Sequence, residues 1–226
     1  AGDFALLRQY IESQDLQHLK FGTSSAKSLT LSFWVKSSKT GTHWVEIYVY
    51  DANKFNSASY TVNSADTWEK KTVTFVGETS AIIPNDTTAG MVVQWWLMGG
   101  STYAGGTHSG NVWHSTNANR VPGQVNVMDS TNNNFYLTGV QLETGSAATD
   151  FENLHNSEEL MLCRRYYQIN YTSWYGVAAA TGYFVSDSIS YVPPMRANPA
   201  VAQTSFSSGS GGRFTTTGAT SQTIQG

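Results

Sequence analysis

Residues 29–36 read Leu-Thr-Leu-Ser-Phe-Trp-Val-Lys, an alternation sustained over eight positions. A period of two is what a β-strand with one buried face requires, whereas a helix would scatter these residues around its circumference. Leu29, Leu31, Phe33 and Val35 share one face; Thr30, Ser32, Trp34 and Lys36 share the other. After a turn at Ser37-Ser-Lys-Thr-Gly41, residues 44–50 repeat the pattern. There Val45, Ile47 and Val49 oppose Trp44, Glu46, Tyr48 and Tyr50. A chain with two such segments in succession must bury a sheet face.

The rest of the first two thirds follows suit. Residues 4–11 mix apolar and polar positions, and with 16–21 they read as extended chain with a bend. A brief strand is predicted at 59–62 and another at 68–76, with Val73 and Phe75 on one face. Residues 91–98 are almost continuously apolar, which predicts a strand in the middle of a sheet. Residues 135–142 alternate again. Ser and Thr, at 26 each, supply nearly a quarter of the 226 residues, and clusters of Gly, Ser, Asn and Asp punctuate the strands. This predicts an all-β chain built on a jelly-roll β-sandwich. Residues 99–134 lack periodicity, and a stretch that long is usually a functional or assembly loop.

One short helix is predicted near residue 157, with Asn156 as its N-cap and Glu159 completing a capping box. Leu160, Cys163 and Tyr167 would form its apolar stripe, with Cys163 a buried structural thiol. Beyond it, residues 183–185, 189–192 and 201–206 read as strands interrupted by Pro193-Pro194 and Pro199. The Gly/Ser/Thr-rich residues 207–226 bury little alone, so a neighbour is expected to order them. The domain reading is therefore 1–150, a sandwich, and 151–226, a helix with a small C-terminal β module that depends on assembly.

Composition narrows the function. The net charge of −3 offers no electrostatic footprint for nucleic acid or for an anionic membrane. No apolar run approaches the roughly 20 residues of a membrane-spanning helix. A single cysteine excludes an intrachain disulfide and a cysteine-based zinc site. His18, His43, His108, His114 and His155 show no metal-ligand spacing, and no nucleophile elbow or phosphate-binding glycine loop is present. Glu46 and Asp51 are not paired by sequence with any second acid in the way glycan hydrolysis needs. The expectation is a non-enzymatic protein with no cofactor and no metal.

Binding is the stronger signal. Trp34, Trp44, Glu46 and Tyr48 lie on the non-core faces of the two best strands, and Gln94 and Trp96 join them if Trp95 points inward. Sugar rings stack on flat aromatic faces while polar neighbours bind their hydroxyls. These six residues are the saccharide candidates, and the alternative is that they pack against another element or subunit. Tyr103 and Trp113, in the long loop, are candidates for recognition or for an interface.

Three motifs in order carry a resemblance: residues 29–36, then Asp66-Thr-Trp-Glu-Lys-Lys-Thr-Val-Thr74, then Phe135-Tyr-Leu-Thr-Gly-Val-Gln-Leu-Glu-Thr-Gly145. Together they resemble carbohydrate-binding-module-like jelly rolls. The continuation into Ala148-Thr-Asp-Phe151 and Glu158-Glu-Leu-Met-Leu-Cys-Arg-Arg-Tyr-Tyr167 resembles bacteriophage tail-fibre and related virion proteins. The resemblance covers residues 1–167. It implies further strands before Asp3, a structural role for Trp68, a location on the virion and a homotrimer bound to other virion proteins. It also implies attachment to host-surface glycans. The alternatives are a purely architectural decoration, collar or shaft protein, and a glycan depolymerase.

Overall fold

The alternating segments pair into two antiparallel sheets in the computed structural model, which describes residues 2–169, 190–199, 213–215 and 223–225. The chain divides into two compact units, 1–152 and 153–226.

The first unit contains seven strands: β1 (Phe4–Glu12), β2 (Leu29–Ser37), β3 (Gly41–Val49), β4 (Lys54–Val62), β5 (Glu69–Phe75), β6 (Ala89–Gly99) and β7 (Phe135–Thr144). One sheet has the order β1-β6-β3-β4, the other β5-β2-β7. Apart from the β3–β4 hairpin, every connection between successive strands crosses from one sheet to the other. The fold is an all-β sandwich.

The two inner faces follow from the alternation. Leu31, Phe33 and Val35 of β2 are fully buried, as are Val45 and Ile47 of β3 and Met91 of β6. Phe33 meets Trp95 edge-on at 5.6 Å and Tyr60 at 5.1 Å, an arrangement that aromatic quadrupoles favour. Strand β6 lies between β1 and β3, which explains its near-continuous apolar run. Trp95 therefore points into the core and Trp96 out of it.

Two local expectations change. The brief strand at 59–62 is a full-length β4, because pairing with β3 extends it over the polar residues Asn56 and Ser57. The bend after residue 11 is a 3-10 helix at Ser13–Leu19, closed by Lys20 in the left-handed region (φ 56°). Gln17 holds that helix by donating to the carbonyls of Ser13 at 2.8 Å and Pro84 at 2.9 Å.

In the second unit, α2 spans Asn156–Arg164. Its cap is His155 rather than Asn156: the Ser157 amide donates to His155 Nδ1 at 3.3 Å. Cys163 is exposed, not buried. Tyr191 and Val192 lie in irregular chain, and the strands expected at 183–185 and 201–206 fall outside the described residues. Short strands β8 (Arg213–Thr215) and β9 (Thr223–Gln225) pair antiparallel, with Phe214 opposite Ile224.

Candidate functional site

Register across the four-stranded sheet assembles three rows of side chains on its outer face. One row runs Leu6–Trp96–Trp44–Ser59, the next Arg8–Gln94–Glu46–Ser57, and the third Tyr10–Val92–Tyr48–Phe55. A polar row is thus held between two rows rich in aromatic rings. The strict two-residue period of each strand makes this inevitable once the register is set.

The loop between β6 and β7 folds back over this face. It begins with a short helix, α1 (Ser101–Ala104). His114 exchanges both backbone hydrogen bonds with Phe55 of β4, at 2.9 and 3.0 Å. Asn111 then joins the two sheets, accepting from Asn56 Nδ2 at 2.8 Å and from the Val76 amide at 3.1 Å. Its own Nδ2 donates to the Thr74 carbonyl at 2.9 Å. The His114–Phe55 bridge pairs one position on the open edge of β4, where backbone groups would otherwise stand unpaired.

Arg120 drives the loop into the polar row. Its Nε donates to Glu46 Oε2 at 2.9 Å and its Nη2 to Glu46 Oε1. Ser57 Oγ donates to Oε2 at 2.6 Å, and Gln94 Nε2 to Oε1. Glu46 is fully buried, and its four lone-pair positions are all filled. The guanidinium also lies 4.2 Å from the Phe55 ring centre and 4.9 Å from that of Trp96. Tyr48 and Tyr103 flank it at 5.6 and 5.7 Å. Cation–π attraction is strongest when desolvated, as it is here.

The expected saccharide platform is therefore closed. Trp44, Glu46, Gln94 and Trp96 are all at most 3% exposed. Trp44 packs against His108 (4.6 Å) and Trp96 against Tyr103 (5.3 Å). The cover is the chain's own loop, and burial of the two indoles supplies several kcal/mol to hold it, at about 25 cal/mol per Å². Trp34 belongs to the other sheet, since β2 and β3 separate there. It stands 42% exposed on the outer face of the three-stranded sheet, facing away from Trp44. Trp113 is tied down: its Nε1 donates to the Val76 carbonyl at 2.6 Å, and its ring meets Phe21 at 5.6 Å.

What remains open is a cleft of about 220 Å³ where β1, β3 and the loop converge. Phe4, Tyr48, Tyr50 and Tyr103 supply aromatic walls, and Arg8 and Arg120 supply the cationic side chains. Tyr48, Trp96 and Tyr103 are candidates from the sequence, and the structure brings them together around Arg120. Tyr50 shares the strand face of Tyr48 in the sequence reading, whereas Arg120, Arg8 and Phe4 are not among its candidates. One signal for Arg120 was present: residues 99–134 contain just two charged side chains, Arg120 and Asp129. Asp129 also anchors the loop, pairing with Lys39 at 2.7 Å.

The histidines under and beside the loop are held below their ordinary pKa. Burial is the main cause at His43, His108 and His114, with the Lys71 charge adding to it at His43. His43 stacks on Tyr60 at 5.6 Å, and its Nε2 meets the Lys39 carbonyl at 2.9 Å. Among the described residues, no three His, Cys, Asp or Glu side chains gather as a metal ion would require. No family model, curated protein or solved structure matches this chain.

Proposed function

We propose that residues 1–152 form a non-catalytic saccharide-binding domain, carried on a virion fibre or appendage that attaches to host-surface glycans. The binding half of this reading rests on the cleft bounded by Tyr48, Tyr50, Tyr103 and Phe4. It has the composition sugars require, with ring faces for C–H stacking beside guanidinium and hydroxyl donors for the sugar oxygens. The virion half rests on the motif resemblance of residues 1–167. Individual sugar contacts are weak, and a homotrimer repeated on one particle would multiply them through effective concentration. Glu46 supports the non-catalytic reading, because a carboxylate with every lone pair occupied has no capacity left to protonate a glycosidic oxygen.

A second reading has its own support. The loop that seals Trp44 and Trp96 makes this face a structural joint rather than an open groove, as an architectural shaft or decoration protein would have it.

A glycan array probed with the full chain separates the two. Binding that is lost in Tyr50→Ala and kept in Trp34→Ala places the sugar in the cleft. Loss in Trp34→Ala with Tyr50→Ala unaffected moves it to the three-stranded sheet and refutes the cleft. Silence across the array leaves the architectural reading.

A further inference from the structure

Arg8 of the polar row and Arg120 from the loop share one glutamate, Glu46, so one positive charge is left over. Glu46 gives all its acceptor positions to Arg120, Gln94 and Ser57. Arg8, at the β1 end of the same row, is separated from Glu46 by Gln94. It has no ion pair among the described residues. No carboxylate lines the cleft.

Arg8 is nevertheless positioned. Its guanidinium carbon sits 5.9 Å from the Phe4 ring centre, and its Nη1 donates to the Tyr10 hydroxyl at 3.3 Å. Tyr10 in turn meets Tyr50 at 6.5 Å, and Tyr50 meets Tyr48 at 5.6 Å, forming a row of rings beside the guanidinium. Most of the fork's donors remain unused, and the side chain is exposed. An exposed guanidinium held among aromatic faces recognises a planar anion in two-point fashion while a ring stacks beside it.

From this arrangement we propose that the cleft selects an acidic saccharide, a sugar bearing a carboxylate, with Arg8 as the charge partner and the Tyr48–Tyr50 wall as the stacking surface. The inference rests on the saccharide reading of the same cleft. A single unneutralised guanidinium matches a single carboxylate, charge for charge. Arg120 does not compete for the ligand, because Glu46 already neutralises it.

The test titrates the full chain with 3′-sialyllactose and trigalacturonate, each against its neutral counterpart, lactose and methyl-esterified trigalacturonate. At least one acidic sugar is expected to bind about tenfold more tightly than its neutral partner, the effect of one charge-assisted contact. That advantage should shrink as sodium chloride rises, since the site is open to solvent. Arg8→Gln should erase the advantage without lowering Tm, and Arg8→Lys should restore part of it, because a point charge lacks the fork. Equal affinity for acidic and neutral sugars overturns the charge selection and leaves saccharide binding standing. An acidic preference that survives Arg8→Gln overturns the assignment to this residue. No affinity for any of the four sugars, together with silence on the array, overturns the saccharide reading itself and this inference with it.

Discussion

Arg120 and Glu46, 74 positions apart in the chain, form a buried ion pair in which two guanidinium nitrogens donate to the two carboxylate oxygens. The pair fastens the β6–β7 loop to the centre of the four-stranded sheet. It decides which aromatic residues are covered and which line the cleft.

Breaking the pair from one side strands a charge in a closed interior. Arg120→Met is expected to cost about 3–5 kcal/mol, and Glu46→Gln a comparable amount. The double variant should lose clearly less than the sum, since no unpaired charge remains. Urea melts of the four species measure this coupling. Strict additivity would mean the two side chains act independently.

Two further loop anchors differ in kind. Lys39 and Asp129 are part-exposed, with side-chain exposures of 34% and 43%. Lys39→Ala should therefore cost no more than about 1 kcal/mol, an effect that fades in high salt. Trp113→Phe deletes the donor to the Val76 carbonyl and should cost about 1 kcal/mol with no salt dependence. Thermal melts at low and high ionic strength distinguish them. A salt-sensitive Trp113→Phe would contradict the assignment.

Acid should loosen the domain in two windows. His43, His108 and His114 have folded pKa values below the ordinary one. The unfolded chain therefore binds protons more readily, and stability present above about pH 6.5 declines as pH falls through that value. Glu69 is pulled down to about 2, chiefly by its hydrogen bond from Lys71, with the amides of Ser64 and Asn63 adding to it. Its contribution is intact above the ordinary glutamate range and is lost as pH falls towards 2. Denaturation midpoints at pH 7.5, 5.5 and 3 should fall in sequence. Replacing His43 by Gln should flatten the upper step only, and a midpoint unchanged between pH 7.5 and 5.5 would rule out the histidine contribution.

Two glycines with similar backbone angles should respond differently to alanine. Gly110 (φ +84°) faces open space, so Gly110→Ala should cost about 1 kcal/mol of left-handed strain. At Gly22 (φ +81°) an added Cβ would also lie 2.5 Å from Ile82 Cγ1 and 3.0 Å from Ile82 Cα. Gly22→Ala should be markedly worse, because the backbone of Ile82 must move as well. Equal Tm losses would show that the loop around Ile82 yields freely.

Much of this architecture is local information. The alternation at Leu29–Val35 and Val45–Val49 specifies strand and inner face together, because the pleat turns every second side chain to one side. The apolar run in β6 announces a central strand for the same reason. These readings needed no partner, and the sandwich assembled from them buries the residues they nominate. The cap of α2 moved by one residue because His155 and Asn156 both offer an acceptor, and local sequence does not rank them.

The site was decided elsewhere. Trp34 and Trp44 carry the same pattern on successive strands, yet they face opposite sides of the sandwich because the chain changes sheet between β2 and β3. Trp44 and Trp96 look like a binding platform until the loop covers them. That cover depends on Arg120 reaching Glu46, a contact between distant positions that leaves no periodic trace. A strand's inner face follows from its own residues, but which outer face stays open depends on where a long aperiodic loop comes to rest. Only charge pairing and packing in three dimensions fix that.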